Sequence, residues 1–140
     1  MPFIGRLKLA QLTVPAVRDL ESRLRAEGRS DAMVRKVLVS LSSLISDAME
    51  RVRAAPPTTL LGREVAFADL ALESPPVDAV RLLGDGVRVI VRPSGTEPKL
   101  KAYLETVVPV HDDAGLLAAR GRGENELDEL RAEMSAALGI

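Results

Sequence analysis

The stretch Arg92–Lys99, with the sequence RPSGTEPK, concentrates groups that bind anions. Arginine can hold two oxygens of one oxyanion through its planar fork, and hydroxyl and ammonium groups donate further hydrogen bonds. Gly95 can adopt a positive φ, which would let successive N–H groups converge in an anion-binding nest. These residue types predict an oxyanion-binding loop, with a merely polar hairpin loop as the alternative. The predicted contacts are Arg92, Ser94, Gly95, Thr96 and Lys99.

Other chemistry is scarce in the sequence. The chain has no cysteine, so thiolate catalysis, thiolate metal sites and disulfides are excluded. His111 is the only histidine and has no obvious ligand companions, and Asp112–Asp113 is interpreted as a solvated turn, so no metal site is predicted. Tyr103, the only tyrosine, either lines the loop's anion site or simply favours its strand.

The loop lies in a second half that reads as a small α/β unit. Apolar alternation and turn signals predict four antiparallel strands. A helix from Glu124 should pack on the sheet, and residues 111–125, with three glycines, are either a broken helix or a mobile loop. The predicted strands are Glu64–Leu70, Asp78–Leu83, Val87–Val91 and a strand that begins at Leu100.

The first half reads as a helical hairpin. Thr13 is a candidate N-cap of the first helix, and Gly28 is its predicted stop. Ser30 can cap a second helix of unusual length, which ends near Ala54 before a Pro-Pro pair. Its apolar stripe leaves the segment Met33–Leu38 exposed unless something covers it, and this predicts self-association through the hairpin.

Charge differs between the halves. Up to Ala55 the chain has 10 basic and 6 acidic residues, and from Pro56 it has 9 and 14, so the net charges are +4 and −5. This asymmetry suggests two modules. No window approaches the roughly 18 continuous apolar residues of a membrane span, and no signal segment opens the chain, so a cytoplasmic protein without membrane contact is expected.

The string VRVIVRPSGTEPKLKAYLE resembles the phosphate-binding loop of the α-D-phosphohexomutases, the phosphoglucomutase and phosphomannomutase family. The similarity extends over about residues 49–140, the family's C-terminal domain. It implies an α+β fold like that of the TATA-binding protein, with four antiparallel strands flanked by helices. It also implies that the loop holds the phosphate of a hexose phosphate, with Arg92, Ser94, Gly95 and Thr96 as contacts and Lys99 as a weaker addition.

The family's catalytic strings do not occur in this sequence. Those enzymes use a phosphoserine in a T-A-S-H-N-like loop, Mg²⁺ in a D-x-D-x-D loop and a sugar-reading G-E-x-S/N loop. Because none of the three is present, the resemblance implies no cofactor in this chain, no catalytic residue and no mutase turnover by this chain alone.

Residues 6–48 are similar to part of the N-terminal core-binding domain of phage integrases, the tyrosine recombinases. This resemblance implies weak DNA contacts through basic residues near the start of the second helix, for which a solvated helix face is the alternative. The candidate DNA contacts are Arg29, Arg35 and Lys36.

The two resemblances divide the chain into an integrase-like hairpin, 1–48, and a phosphate-binding domain, 49–140. Three functions compete. The chain could bind phosphosugars without catalysing their reaction, it could be a helical module that binds DNA or a partner, or it could be a gene fusion or engineered chimera without a selected role.

Overall fold

Three α-helices and five strands make up the part of the chain that the computed structural model describes, residues 14–112 and 115–140. The predicted N-cap Thr13 lies outside these residues. The helices are α1 (Val14–Ala26), α2 (Asp31–Ala54) and α3 (Leu116–Leu138). The strands are β1 (Thr59–Leu60), β2 (Arg63–Asp69), β3 (Val80–Gly84), β4 (Val87–Pro93) and β5 (Leu100–Thr106). None of the described helices has the length and apolar character needed to cross a bilayer.

The predicted helical hairpin is present. Gly28 stands at φ +72° after α1, and the Ser30 hydroxyl caps α2 by accepting a hydrogen bond from the Met33 N–H at 3.3 Å. A small apolar cluster joins the two helices. Val34 is only 1% exposed in this cluster, whereas Met33 stays 39% exposed, and self-association through the hairpin stays a prediction. The cluster consists of Val17, Leu20, Leu24, Val34 and Leu41.

The main core lies between one face of the sheet and the helices α2 and α3. Helix α2 passes from the small cluster to this larger one, since Leu41 belongs to the first and Ala48, Met49 and Val52 to the second. One continuous helix therefore crosses the predicted boundary at residue 48. The division of the chain into two domains stays a prediction.

The sheet is antiparallel throughout, in the order β1-β2-β3-β4-β5. The prediction of four strands missed the two-residue β1, which pairs with β2 through Leu60 and Arg63. The intervening Leu61 and Gly62 both have positive φ, +52° and +68°. Tight hairpin turns are usually recognised by asparagine, aspartate or glycine at such positions, so the dipeptide Leu61–Gly62 did not predict a hairpin and β1 was not identified. The other strands shift by one or two residues from their predicted bounds.

Helix α3 begins at Leu116, eight residues before the predicted start at Glu124. The segment interpreted as a broken helix or mobile loop is therefore helical over most of its length. Gly121 and Gly123 weaken a helix by only about 0.5–1 kcal/mol each relative to alanine, and the burial of Ala119, 4% exposed, offsets part of this cost.

Two glutamates of α3 contact the end of the sheet that lies opposite the Arg92–Lys99 loop. Glu126 pairs with Arg63 of β2 at 2.8 Å and also accepts a hydrogen bond from the Thr106 hydroxyl at the end of β5. Glu133 accepts a hydrogen bond from the Leu61 N–H at 3.0 Å. These contacts fix the hairpin of β1 and β2 to the helix, so the sheet is anchored at the end opposite the Arg92–Lys99 loop.

Candidate functional site

The candidate loop connects two paired strands, β4 and the edge strand β5. Strand β4 ends at Pro93 and β5 begins at Leu100, and these two residues face each other in the ladder. One step earlier, Arg92 faces Lys101. Successive side chains of β4 point to opposite faces of the sheet, so Val91 is buried while Arg92 is exposed. The paired strands on both sides make the segment 94–99 a short connection.

Internal hydrogen bonds use part of the loop's backbone. The Ser94 N–H donates to the Lys99 carbonyl at 2.9 Å, and the Lys99 N–H donates to the Glu97 carbonyl at 2.8 Å. Between them, the N–H groups of Gly95, Thr96 and Glu97 meet no acceptor in the described part of the chain. Nor do the hydroxyls of Ser94 and Thr96 have a partner among those residues. Three amides and two hydroxyls in four consecutive residues thus remain able to bind an external acceptor.

Gly95 does not have the conformation expected from the sequence. Its φ lies outside the left-handed region, so the nest formed through a positive φ at this residue is not present. The position is exposed, and an added Cβ would meet nothing within 4 Å. The free amides therefore result from the loop path between Ser94 and Lys99, and no strained glycine is needed.

Arg92 lies on the exposed face of the sheet beside Tyr103. Its guanidinium donates to the Tyr103 hydroxyl at 3.4 Å and lies 5.9 Å from the centre of the ring. The two residues are diagonal neighbours on paired strands, because Ile90 is the direct partner of Tyr103. The hydrogen bond and the positive charge of Arg92 lower the pKa of Tyr103 below its ordinary value. Tyr103 therefore helps to orient Arg92 at the end of the loop.

The Arg92→Ala substitution is expected to raise the pKa of Tyr103 back towards its ordinary value, because the charge that favours the phenolate is removed. The chain has one tyrosine and no tryptophan, so a spectrophotometric pH titration of phenolate absorbance observes this residue alone. Arg88→Ala is the matched control, since Arg88 lies on the same strand and face but pairs with Glu105. An unchanged Tyr103 titration in Arg92→Ala would contradict the assigned contact.

Lys99 lies on the other side of the loop, where it is paired. Its ammonium is 2.8 Å from the Glu97 carboxylate, and Arg18 of α1 contacts the same carboxylate at 3.2 Å. The hydrogen bond from Lys99, followed by the charges of Lys99, Arg18 and Lys101, lowers the pKa of Glu97. The carboxylate therefore stays ionised below the usual pH range for glutamate and joins the loop to α1.

The sequence did not reveal this contact between the helical hairpin and the loop. Glu97 stands inside the quoted string RPSGTEPK, but nothing marks Arg18 as its partner, 79 residues earlier. Of the predicted contacts, Thr96 and Lys99 line a cleft that faces α1, whereas Arg92 lies with Tyr103 on the exposed face of the sheet. The loop thus presents donors on two sides.

A second, apolar cleft of about 400 Å³ lies between α2, β5 and α3. It shares Pro98 and Lys99 with the cleft that faces α1, but its walls are mostly aliphatic. Its polar lining comes from Lys99, Arg131 and Ser135. Leu41, Ile45, Leu100, Ala102, Leu104, Leu127, Met134, Leu138 and Ile140 provide its apolar lining.

The candidate DNA contacts lie at the start of α2, and all three are exposed. Arg29 pairs with Glu27 at 3.7 Å, while no acidic side chain within 14–112 or 115–140 pairs with Arg35 or Lys36. None of the three lines the cleft at the loop. The integrase resemblance and DNA binding stay predictions.

The residues present do not fit the Mg²⁺ site of the full-length family. No group of three or more histidine, aspartate or glutamate side chains within the described residues could hold a metal ion. Asp112 accepts a hydrogen bond from the Gly115 N–H at 2.7 Å, which is a local turn contact, and its neighbour Asp113 lies outside the described residues. His111 is exposed. No metal-dependent step is therefore derived for this chain.

A scan against models of protein families matches residues 47–119 to the model described as "Phosphoglucomutase/phosphomannomutase, C-terminal domain". The match covers just over half of the chain and includes the whole loop Arg92–Lys99. It begins where α2 enters the main core and ends at Ala119, early in α3. No curated protein and no solved structure matches the chain.

Proposed function

Because this chain belongs to the phosphoglucomutase/phosphomannomutase family through the C-terminal domain, we propose that its Arg92–Lys99 loop binds the phosphate group of a hexose phosphate. The observation that supports this most directly is the set of unpartnered donors in the loop. Gly95, Thr96 and Glu97 present free N–H groups among the described residues, and Ser94 and Thr96 add free hydroxyls. This donor set suits the oxygens of a phosphate group.

Arg92 supplies the main positive charge in this proposal, and Lys99 adds charge from the other side of the loop. Arg92 is exposed and its hydrogen bond to Tyr103 is long, at 3.4 Å, so an anion can compete for the guanidinium at little cost. Lys99 must share its ammonium between the phosphate and Glu97, which makes it the weaker contact. One phosphate clamp of this kind gives an expected dissociation constant near or above ~1 mM, about −4 kcal/mol.

The proposal includes binding but no turnover. The phosphoserine, metal and sugar-reading strings of the family are not found in this sequence, so no residue is assigned to phosphoryl transfer. We propose that the chain acts as a phosphosugar-binding module, and that any transfer reaction requires residues outside this sequence.

The test is a titration monitored by the amide NMR signals of the chain, first with inorganic phosphate and then with glucose 1-phosphate. Saturable shifts are expected at Ser94, Gly95 and Thr96. Arg92→Ala should weaken binding about tenfold or more, since hydrogen bonds to charged groups contribute about 1.5–3 kcal/mol. Arg88→Ala, on the same strand and face, should leave binding unchanged and serves as the control.

A short DNA duplex added to the same sample tests the competing function. Movement of the amides of Arg29, Arg35 and Lys36, with an affinity that falls steeply with salt, would favour the DNA-binding hypothesis. Loop amides that do not respond to phosphate would overturn the phosphosugar proposal. The absence of any response to phosphate or DNA would favour a chimera without a selected role.

A further inference from the structure

The cleft between α1 and the loop has a volume of about 430 Å³, which lies in the range of about 300–1,000 Å³ typical of small-molecule sites. Thr96, Glu97, Pro98 and Lys99 form its loop side. Its other side comes from the helical hairpin, chiefly from α1. From this shared cleft we propose that α1 forms the sugar-binding wall of the phosphosugar site. The inference rests on the phosphate-binding function proposed above.

The composition of the helical wall suits a hydroxylated ring. Arg18 offers guanidinium donors, and Glu21 offers carboxylate acceptors. A sugar hydroxyl can therefore accept a hydrogen bond from Arg18 and donate one to Glu21. Between them lies apolar surface from Val17 and Leu38, opposite the ring of Pro98. Apolar surface with a few convergent polar groups is the usual lining of a small-ligand site.

The polar groups of the cleft determine where the phosphate end and the sugar end of the ligand lie. The loop donors fix the phosphate at Ser94–Thr96, and the sugar then extends towards α1 because Thr96 belongs to both the loop donor set and the cleft. The Glu21 carboxylate would repel a phosphate but is paired with Arg25 at 3.1 Å, which reduces that repulsion. Glu21 therefore acts at the sugar end, as an acceptor of hydroxyl hydrogen bonds.

The ion pairs of Glu97 hold this cleft in shape before a ligand arrives. Its carboxylate contacts Lys99 within the loop and Arg18 on α1, so it bridges both walls. A site that is already ordered loses less conformational entropy on binding. Arg18 keeps further N–H donors free of this contact, because only one of its nitrogens is engaged, at 3.2 Å.

The experiment compares two ligands on the full 140-residue chain, glucose 1-phosphate and inorganic phosphate, in the same amide NMR titration. Glucose 1-phosphate should bind about three- to tenfold more tightly, as one or two added hydrogen bonds would give. It alone should shift the amides of Arg18 and Glu21. Glu21→Ala should remove this preference, so that glucose 1-phosphate and inorganic phosphate bind with similar affinity.

The matched control is Asp19→Ala on the same helix, because Asp19 pairs with Arg23 and does not line the cleft. It should keep the preference for glucose 1-phosphate. Equal affinities of the unaltered chain for the two ligands would overturn the sugar-wall inference and leave the phosphate site standing. A preference that survives Glu21→Ala would overturn the role of Glu21. No binding of inorganic phosphate would overturn the proposed function itself, and this inference with it.

Discussion

Leu130→Ala is expected to lower the free energy of unfolding by about 2–5 kcal/mol, the range observed when a buried leucine is truncated to alanine. Leu130 is 0% exposed and lies on α3 within the main core, together with Met134 and Leu138. The same cluster includes the buried valines of β4, so the cavity left by the substitution forms in the core that also supports the strand leading to the loop. Because such a domain is stable by only about 5–15 kcal/mol, the loss is a large share of the total.

Urea unfolding followed by circular dichroism measures this difference. Leu117→Ala is the control, because Leu117 lies on the same helix but is 81% exposed, and surface truncations usually change stability by less than about 0.5 kcal/mol. The midpoint of Leu130→Ala should fall at an unchanged denaturant slope. Similar midpoints for the two variants would show that α3 does not pack on the sheet as the structure describes.

The elements that the sequence predicted correctly are those with strong local signals. The bounds of α2 follow from its Ser30 cap and from its apolar stripe, and the Gly28 stop separates it from α1. Strand β4 follows from its density of valine and isoleucine, and β5 follows from alternation, which is why Tyr103 could be placed on a polar face in advance. Local periodicity thus located the candidate site before any tertiary contact was known.

The features that the sequence did not predict depend on contacts between distant residues. The turn between β1 and β2 contains Leu61, whose N–H donates a hydrogen bond to the Glu133 carboxylate of α3. No local sequence pattern predicts that hydrogen bond. The early start of α3 depends on the burial of Ala119. The cleft at the loop exists because α1 folds back to place Arg18 beside Glu97, and this arrangement is a property of the tertiary structure alone.

The Gly84→Ala substitution is expected to destabilise the protein by about 1–3 kcal/mol, as overpacking does. An added Cβ at Gly84 would lie 2.5 Å from the Glu64 carbonyl oxygen, 2.9 Å from Val65 Cγ1 and 3.1 Å from Val87 Cγ1. The first of these atoms belongs to the backbone, so β2 must move away from β3, and rotation of a side chain cannot relieve the contact. Thermal or urea unfolding measures the loss.

Gly95→Ala is the informative partner of Gly84→Ala, because its Cβ would meet nothing within 4 Å and its φ is outside the left-handed region. Its free energy of unfolding should therefore stay within about 0.5 kcal/mol of the original. Phosphate binding should instead weaken, since a Cβ on the exposed side of the loop crowds an anion that approaches the Gly95 N–H. Folded Gly84→Ala should keep the phosphate affinity, because Gly84 lies at the opposite end of the sheet from the loop. A Gly95→Ala variant with unaltered stability and unaltered phosphate affinity would show that the anion does not contact this part of the loop.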